Sequence, residues 1–170
     1  DGFHLSGSIG LGFRRLSIID VRGGHQPLTN ENENIHLIFN GEIYNFIELR
    51  KQLIDRGHIF RTKSDAEVLL HLYEEKGVKA LDDLNGMFAF ALFDEKRNEL
   101  FLARDRLGIK PFFYSQSIDK FVFASDARAV HSQIDKTLNV DSVLKYLALA
   151  YVPGSETMWN GVSKLLPGHY

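Results

Sequence analysis

Short apolar runs of strand length alternate with turn-forming residues along most of this sequence. The run 86–94, GMFAFALFD, is apolar on both faces, which is typical of a strand in the middle of a covered sheet. Residues 20–34 and 95–98 are rich in turn formers and separate such runs. The pattern predicts strands over residues 9–15, 16–19, 35–40, 86–94, 99–105, 112–116 and 120–125.

Apolar residues at helical spacing interrupt these strands. Residues 43–57 show this spacing and end at Gly57, a residue common after a helix C-terminus. A second helix is predicted from Ser64 or Asp65, with Glu67 completing a capping box. Further helices are predicted over 77–84, 126–132 and 139–151. Hairpins mixed with neighbouring helices favour an α+β fold in which helices cover the outer face of a sheet.

Composition narrows the kind of protein. The chain has 170 residues, a net charge of -2 and a pI near 6.4, which give no general attraction to nucleic acid or acidic membranes. No apolar run approaches the roughly 20 residues of a membrane span, so we expect a soluble, cytoplasmic protein. Cysteine is absent, which excludes disulfides and thiolate metal sites. The seven histidines form no HxH or HxxxH pair, and we predict no metal.

Residues 39–42, FNGE, depart from simple patterning because an apolar run ends in an amide, a glycine and a carboxylate. One interpretation is a turn, for which Asn-Gly is a common signal. The other is a site, because an amide and backbone N–H groups before a helix could converge on an oxyanion. The residues alone leave both interpretations open.

Two more polar positions are unusual. Arg14 and Arg15 enter an apolar strand, where either side chain could face solvent or offer its donors to a ligand carboxylate. Ser64 and Asp65 could be helix caps or acceptors for a ligand ammonium group. Together with an oxyanion site, such groups would describe an amino-acid pocket.

Five ordered segments carry a family resemblance: RRLSIID, FNGEIYNFIELR, SDAEVLLHLYEE, LNGMFAFALFD and ARDRLGIKPFFY. In order and spacing they resemble the glutaminase domain of glutamine-dependent asparagine synthetases, which are class II glutamine amidotransferases. The resemblance covers nearly the whole chain. It implies the N-terminal nucleophile (Ntn) hydrolase fold, a four-layer αββα sandwich, and a substrate, L-glutamine.

The resemblance also implies roles for individual residues. Arg15 would hold the glutamine α-carboxylate, and Asn40 with the N–H of Gly41 would form the oxyanion hole. Glu42 and Asp65 would receive the α-ammonium group. The backbone of the residues after Arg15 would lie along the same pocket, namely Leu16, Ser17, Ile18 and Ile19.

The same family implies a longer protein. Residues 1–135 would be the glutaminase domain, and 136–170 would lead into an asparagine synthetase-type domain whose ATP-binding core is absent here. This chain would need no cofactor, whereas ATP and Mg²⁺ would act in the second domain. We expect the synthetase domain of the same polypeptide as its partner, with a homodimer as a further expectation, and neither nucleic acid nor membrane.

The family's nucleophile is an N-terminal cysteine, and this chain has none. Either the chain is a piece of a longer protein, which we favour, or it belongs to a paralogue that lost the site. We therefore expect the 170 residues alone not to hydrolyse glutamine. The alternatives are a non-catalytic pseudo-glutaminase that senses glutamine or mediates assembly, and a related amidotransferase with another acceptor.

Overall fold

The computed structural model describes residues 2–14, 20, 23–134 and 137–170. These residues form two compact units, 1–102 and 103–170. The strands are β1 Gly2–Ser6, β2 Ile9–Phe13, β3 Leu28–Thr29, β4 Ile35–Ile43, β5 Gly86–Asp94, β6 Glu99–Arg104, β7 Phe113–Gln116, β8 Phe121–Ala124 and β9 Ser163–Lys164. The helices are α1 Phe46–Asp55, α2 Glu67–Lys76, α3 Ala80–Asp83, α4 Ala127–His131 and α5 Val140–Leu149, with a 3₁₀ turn at Gly77–Lys79.

A four-stranded sheet in the order β3-β4-β5-β6 is built around the antiparallel pair β4 and β5. One face of this pair carries Phe39 opposite Phe90. Phe90 meets Phe101 edge to face, with ring centroids 5.2 Å apart, and Phe101 stacks on Tyr73 of α2 at 5.8 Å. Because these rings are buried, the core lies between this face and the helices.

The other face of β4 meets the hairpin formed by β1 and β2. His4 of β1 stacks on His36 of β4, with ring centroids 3.5 Å apart. Leu11 of β2 is also fully buried. The hairpin thus covers the β4 face that the helices leave free.

The second unit contains a three-stranded sheet in the order β8-β7-β9. Before this sheet, Arg104 turns its guanidinium onto the backbone and donates to the carbonyls of Gly108, Lys110 and Leu165 at 2.6, 2.6 and 2.7 Å. Burial lowers the pKa of Arg104, and Asp105 opposes that shift. The Asp105 carboxylate accepts 3.0 Å hydrogen bonds from three backbone N–H groups, those of Leu107, Ile109 and Lys110. The RDRLGIKP segment is therefore a loop held by its own charged side chains.

Most predicted elements are present, with revised ends. β4 continues through Asn40-Gly41 to Ile43, so of the two open interpretations the turn is not seen, and α1 begins at Phe46 instead of residue 43. Antiparallel pairing with β5 keeps this segment extended, and a local sequence pattern does not reveal such pairing with a distant strand. The two-residue strands β3 and β9 were not predicted because they are too short to show alternation. The predicted strand 16–19 lies outside the described residues.

The capping box predicted for α2 is wrong. The helix begins at Glu67, and its N-cap residue, Ala66, has no side-chain cap. The Ser64 Oγ instead accepts a 3.3 Å hydrogen bond from the N–H of Ala66, the residue just before the helix. Glu67 instead accepts hydrogen bonds from the N–H groups of Arg61 and Thr62.

The predicted domain boundary at residues 135 and 136 stays a prediction, since the division between compact units after Leu102 concerns packing, not function. Among the described residues, no helix is long and apolar enough to cross a membrane.

Candidate functional site

The end of β4 presents two polar side chains side by side. Asn40 and Glu42 are two residues apart on one strand, so they point to the same face, and both are half-buried. Opposite Asn40 the neighbouring strand carries only the small Ala89, and Met87 lies opposite Glu42. Neither polar side chain has a hydrogen-bond or ion-pair partner among the described residues. An amide and a carboxylate are therefore available on the face turned away from the helices.

Gly41 is required between them because the neighbouring strand approaches its backbone closely. A Cβ at this position would overlap the Met87 carbonyl oxygen and lie 2.7 Å from the Phe88 Cα. Its φ of 155° is also one that side-chain-bearing residues rarely adopt. On the partner strand, a Cβ at Gly86 would overlap the Glu42 carbonyl in the same way. Two glycines thus let β4 and β5 close tightly where the polar groups emerge.

Asp65 is fixed to the end of the same strand. Its carboxylate Oδ2 accepts a 2.8 Å hydrogen bond from the Ile43 backbone N–H, and the residue is buried. The segment before it is held by Glu67, which accepts from the N–H groups of Arg61 and Thr62 and from the Thr62 hydroxyl at 2.6–2.8 Å. The structure therefore brings Asp65 to the strand that carries Asn40 and Glu42.

Asp20 ties the preceding loop to this region. Its carboxylate accepts from the Lys63 N–H at 2.7 Å and from the Gly23 N–H at 2.9 Å. The other predicted pocket residues, Arg15 and Leu16, Ser17, Ile18 and Ile19, lie outside the described residues. Their predicted roles stay predictions.

Gln26 is a positioning residue that sequence reasoning missed. Its side-chain amide donates to the Phe39 carbonyl at 3.0 Å and accepts from the Phe39 N–H at 2.6 Å. Gln26 lies two residues before β3. Its buried side chain replaces the hydrogen bonds of a neighbouring strand and fixes the backbone immediately before Asn40. No local pattern identifies such a residue, because its partner lies 13 positions away.

The arrangement suits recognition of a polar ligand by uncharged and anionic groups. The amide of Asn40 can donate to a developing negative charge. Carboxylates such as those of Glu42 and Asp65 can accept hydrogen bonds from positively charged donors, and the Asp65 Oδ2 accepts from the Ile43 N–H.

Comparison with known proteins identifies the family. The glutamine amidotransferase domain matches this sequence over residues 1–170. The chain belongs to the glutamine amidotransferase domain family. The family predicted from the five sequence segments is therefore confirmed.

Similar members of this amidotransferase family are asparagine synthetases. Glutamine-hydrolysing asparagine synthetase 1 of Bacillus subtilis (strain 168) is 43% identical over 169 residues, which cover 99% of this chain and 27% of that protein. Synthetase 3 of the same organism is 44% identical over 93% of this chain and 26% of its own length. A putative asparagine synthetase 1 of Methanocaldococcus jannaschii is 48% identical over 73% of this chain and 22% of its length. The chain thus spans about a quarter of these relatives.

A solved amidotransferase shares the fold. Glutamine phosphoribosylpyrophosphate amidotransferase from B. subtilis, in complex with ADP and GMP, superposes with a TM-score of 0.53 and 34% identity. The match covers 61% of this chain and 25% of that one. The predicted α+β fold of the Ntn-hydrolase class is thereby confirmed.

Proposed function

We propose that this chain is the glutamine-binding part of a glutamine-hydrolysing asparagine synthetase. In the intact protein it would convert glutamine to glutamate and supply ammonia to an ATP-dependent synthetase domain. The observation that carries the proposal is the joint placement of Asn40, Glu42 and Asp65 at one strand end. The names and identities of the relatives support the same reaction.

In the proposed pocket, different residues contact different parts of the glutamine molecule. Arg15 would pair with the α-carboxylate, with Leu16, Ser17, Ile18 and Ile19 lining the pocket through their backbone. Glu42 and Asp65 would accept hydrogen bonds from the α-ammonium group. The side-chain amide of glutamine would then reach Asn40 and the N–H of Gly41.

The proposed chemistry requires a thiolate supplied by an N-terminal cysteine of the intact protein. The thiolate attacks the side-chain carbonyl carbon, and the oxygen gains the negative charge that Asn40 and Gly41 stabilise. Collapse of this intermediate breaks the C–N bond, and the nitrogen leaves as ammonia after the α-amino group of that cysteine passes to it the proton taken from the thiol. Water then hydrolyses the glutamyl thioester to glutamate and restores the thiol. Ammonia would attack an ATP-activated aspartate in the second domain, where ATP and Mg²⁺ act.

Substitution of Asn40 in the intact protein tests this proposal. Removing one oxyanion donor lowers kcat by about 100- to 1000-fold in comparable enzymes, and we expect Asn40→Ala to do so with KM changed much less. Asn32→Ala is the matched control, since Asn32 is exposed in the loop before β4. Full glutaminase activity in Asn40→Ala would overturn the assignment.

Glutamine binding by the 170-residue chain tests the pocket apart from the reaction. Glutamine at 100 times its Kd should stabilise the fold by about 2.7 kcal/mol and raise Tm. Arg15→Ala should abolish the shift. Binding without any hydrolysis by the intact protein would identify a pseudo-glutaminase that senses glutamine or mediates assembly. Hydrolysis with amidation of a molecule other than aspartate would identify a related amidotransferase.

A further inference from the structure

Two histidines and two glutamates from three separate segments meet beside α2, away from the end of β4. Glu31 follows β3, His58 follows α1, and His71 and Glu74 are one turn apart on α2. Each offers one ligand atom, and these atoms all lie within 4.8 Å of one another. His71 is fully buried, whereas the other three side chains are 17–26% exposed. A small ion could therefore reach the cluster from solvent.

Four separations in the cluster are close to those between the ligand atoms of a tetrahedral metal centre. Metal–nitrogen and metal–oxygen bonds of about 2.0–2.1 Å place tetrahedral ligand atoms about 3.4 Å apart. The His71 Nδ1 lies 3.0 Å from the Glu74 Oε2 and 3.6 Å from the Glu31 Oε2. The His58 Nδ1 lies 3.6 Å from the Glu74 Oε2 and 3.9 Å from the Glu31 Oε1. The remaining separations do not exceed 4.8 Å, so adjustments of the side chains would be needed to complete a tetrahedral geometry.

Neighbouring groups hold the ligands in orientation. The Asn30 amide donates to the Glu74 Oε1 at 2.7 Å, which leaves Oε2 for the centre of the cluster. The Ile59 N–H donates to the Glu31 Oε1 at 3.0 Å. The His58 Nε2 lies 3.2 Å from the Glu75 Oε1, so the opposite ring nitrogen faces the cluster. A carboxylate behind a histidine is a common support for a metal ligand.

The charge of the four side chains also favours a divalent cation at this cluster. Two carboxylates and two neutral imidazoles carry a formal charge of -2, which one divalent ion would neutralise. The alternative is a metal-free cluster held by histidine–carboxylate hydrogen bonds, and the 3.0 Å contact between His71 and Glu74 is compatible with it.

Contrary to the expectation from histidine spacing, we propose that Glu31, His58, His71 and Glu74 form a binding site for one divalent transition-metal ion, with zinc as the preferred occupant. Two imidazoles and two carboxylates suit zinc, whereas calcium and magnesium prefer sites made of oxygen alone. The ion would join the β3–β4 loop and the segment after α1 to α2. Its role would be structural, and its existence does not depend on glutamine binding.

Zinc binding to the metal-free 170-residue chain is the direct test. Titration calorimetry should show one zinc per chain, and zinc at 100 times its Kd should raise Tm by about 5–10 °C. Co²⁺ should bind in competition and give the visible absorption of a tetrahedral cobalt centre. Magnesium at the same concentration should leave Tm unchanged. An absence of stoichiometric zinc uptake would show an ion-pair cluster only and overturn the proposal.

Two variants with matched controls locate the bound ion. Glu31→Gln and His58→Gln should each weaken zinc binding more than about 100-fold, because each removes or neutralises a ligand. Both side chains are partly exposed, so the variants should fold. The controls are Glu33→Gln and His25→Gln, exposed neighbours outside the cluster that should retain full affinity. Zinc affinity unchanged in both ligand variants would place the ion elsewhere and overturn the site.

Discussion

The first unit contains two polar regions that arise in different ways. At the end of β4, Asn40 and Glu42 lie together because a strand returns to the same face every second residue. In the cluster beside α2, Glu31 and His58 meet His71 only because loops and a helix pack together. The first region is local and was visible in the sequence. The second is assembled entirely by the fold.

The two regions also differ in what holds them. The strand end depends on backbone geometry, through Gly41, and on buried side chains that bond to the backbone, through Gln26 and Asp65. The cluster depends on charge. Burial alone would raise the pKa of Glu74, but hydrogen bonds from His71 and Asn30 hold that pKa below its usual value. Substitutions should therefore damage the two regions by different amounts.

The largest effect is expected from Gly41→Ala. The added methyl group would overlap the Met87 carbonyl and force β4 and β5 apart, which should lower the free energy of unfolding by about 4 kcal/mol. Denaturant unfolding measures this loss. Gly12→Ala in β2 is the control, because a Cβ there meets nothing within 4 Å and should change stability little. Equal stability of the two variants would contradict the close approach.

Gln26→Ala should have the next largest effect, a loss of about 3 kcal/mol. It leaves both the N–H and the carbonyl of Phe39 without their side-chain partner. Gln52→Ala, at an exposed position of α1, should be nearly neutral in the same urea titration. If the two variants unfold at the same urea concentration, Gln26 does not support the strand.

Asp65→Ala should cost about 2 kcal/mol of stability because the Ile43 N–H loses its acceptor. The proposed glutamine-induced rise in Tm should disappear as well. Asp55→Ala, at the exposed end of α1, should retain that rise. A variant that loses stability yet keeps full glutamine affinity would restrict Asp65 to a structural role.

The smallest effect is expected from pH. Burial lowers the pKa of His36, with the nearby His4 adding to the shift, while Glu95 and Glu33 oppose it. Because the folded state holds this proton less tightly than the unfolded state, stability is lost as pH falls from about 6.5 through the lowered pKa.

Thermal unfolding between pH 7.5 and pH 5 measures that loss. In His36→Leu the decline should be smaller, since one titrating group is gone. In His25→Leu, which alters an exposed histidine, the decline should match that of the parent. A decline of the same size in His36→Leu would assign the pH dependence to other groups.

Much of the fold could be predicted because its elements have clear periodicity. The run 86–94 is β5 with the predicted bounds, and the helix predicted over 139–151 is α5, capped by Asn139, which accepts from the Ser142 N–H at 3.1 Å. Local signals failed where other hydrogen-bond partners competed with them. Glu67 bonds to Arg61 and Thr62 instead of closing a capping box, and Asn40-Gly41 stays in a ladder instead of turning.

The sequence by itself determined the family, the main strands and helices, and the choice of Asn40, Gly41, Glu42 and Asp65 as candidates. These depend on ordered motifs and on repeats of two or 3.6 residues, which are local properties of the chain. Tertiary structure alone decided that Gln26 braces Phe39 and that Asp65 bonds to Ile43. It also decided that Glu31 and His58 meet α2. Such pairs have no fixed spacing in sequence, because packing between elements sets which distant side chains come within bonding distance.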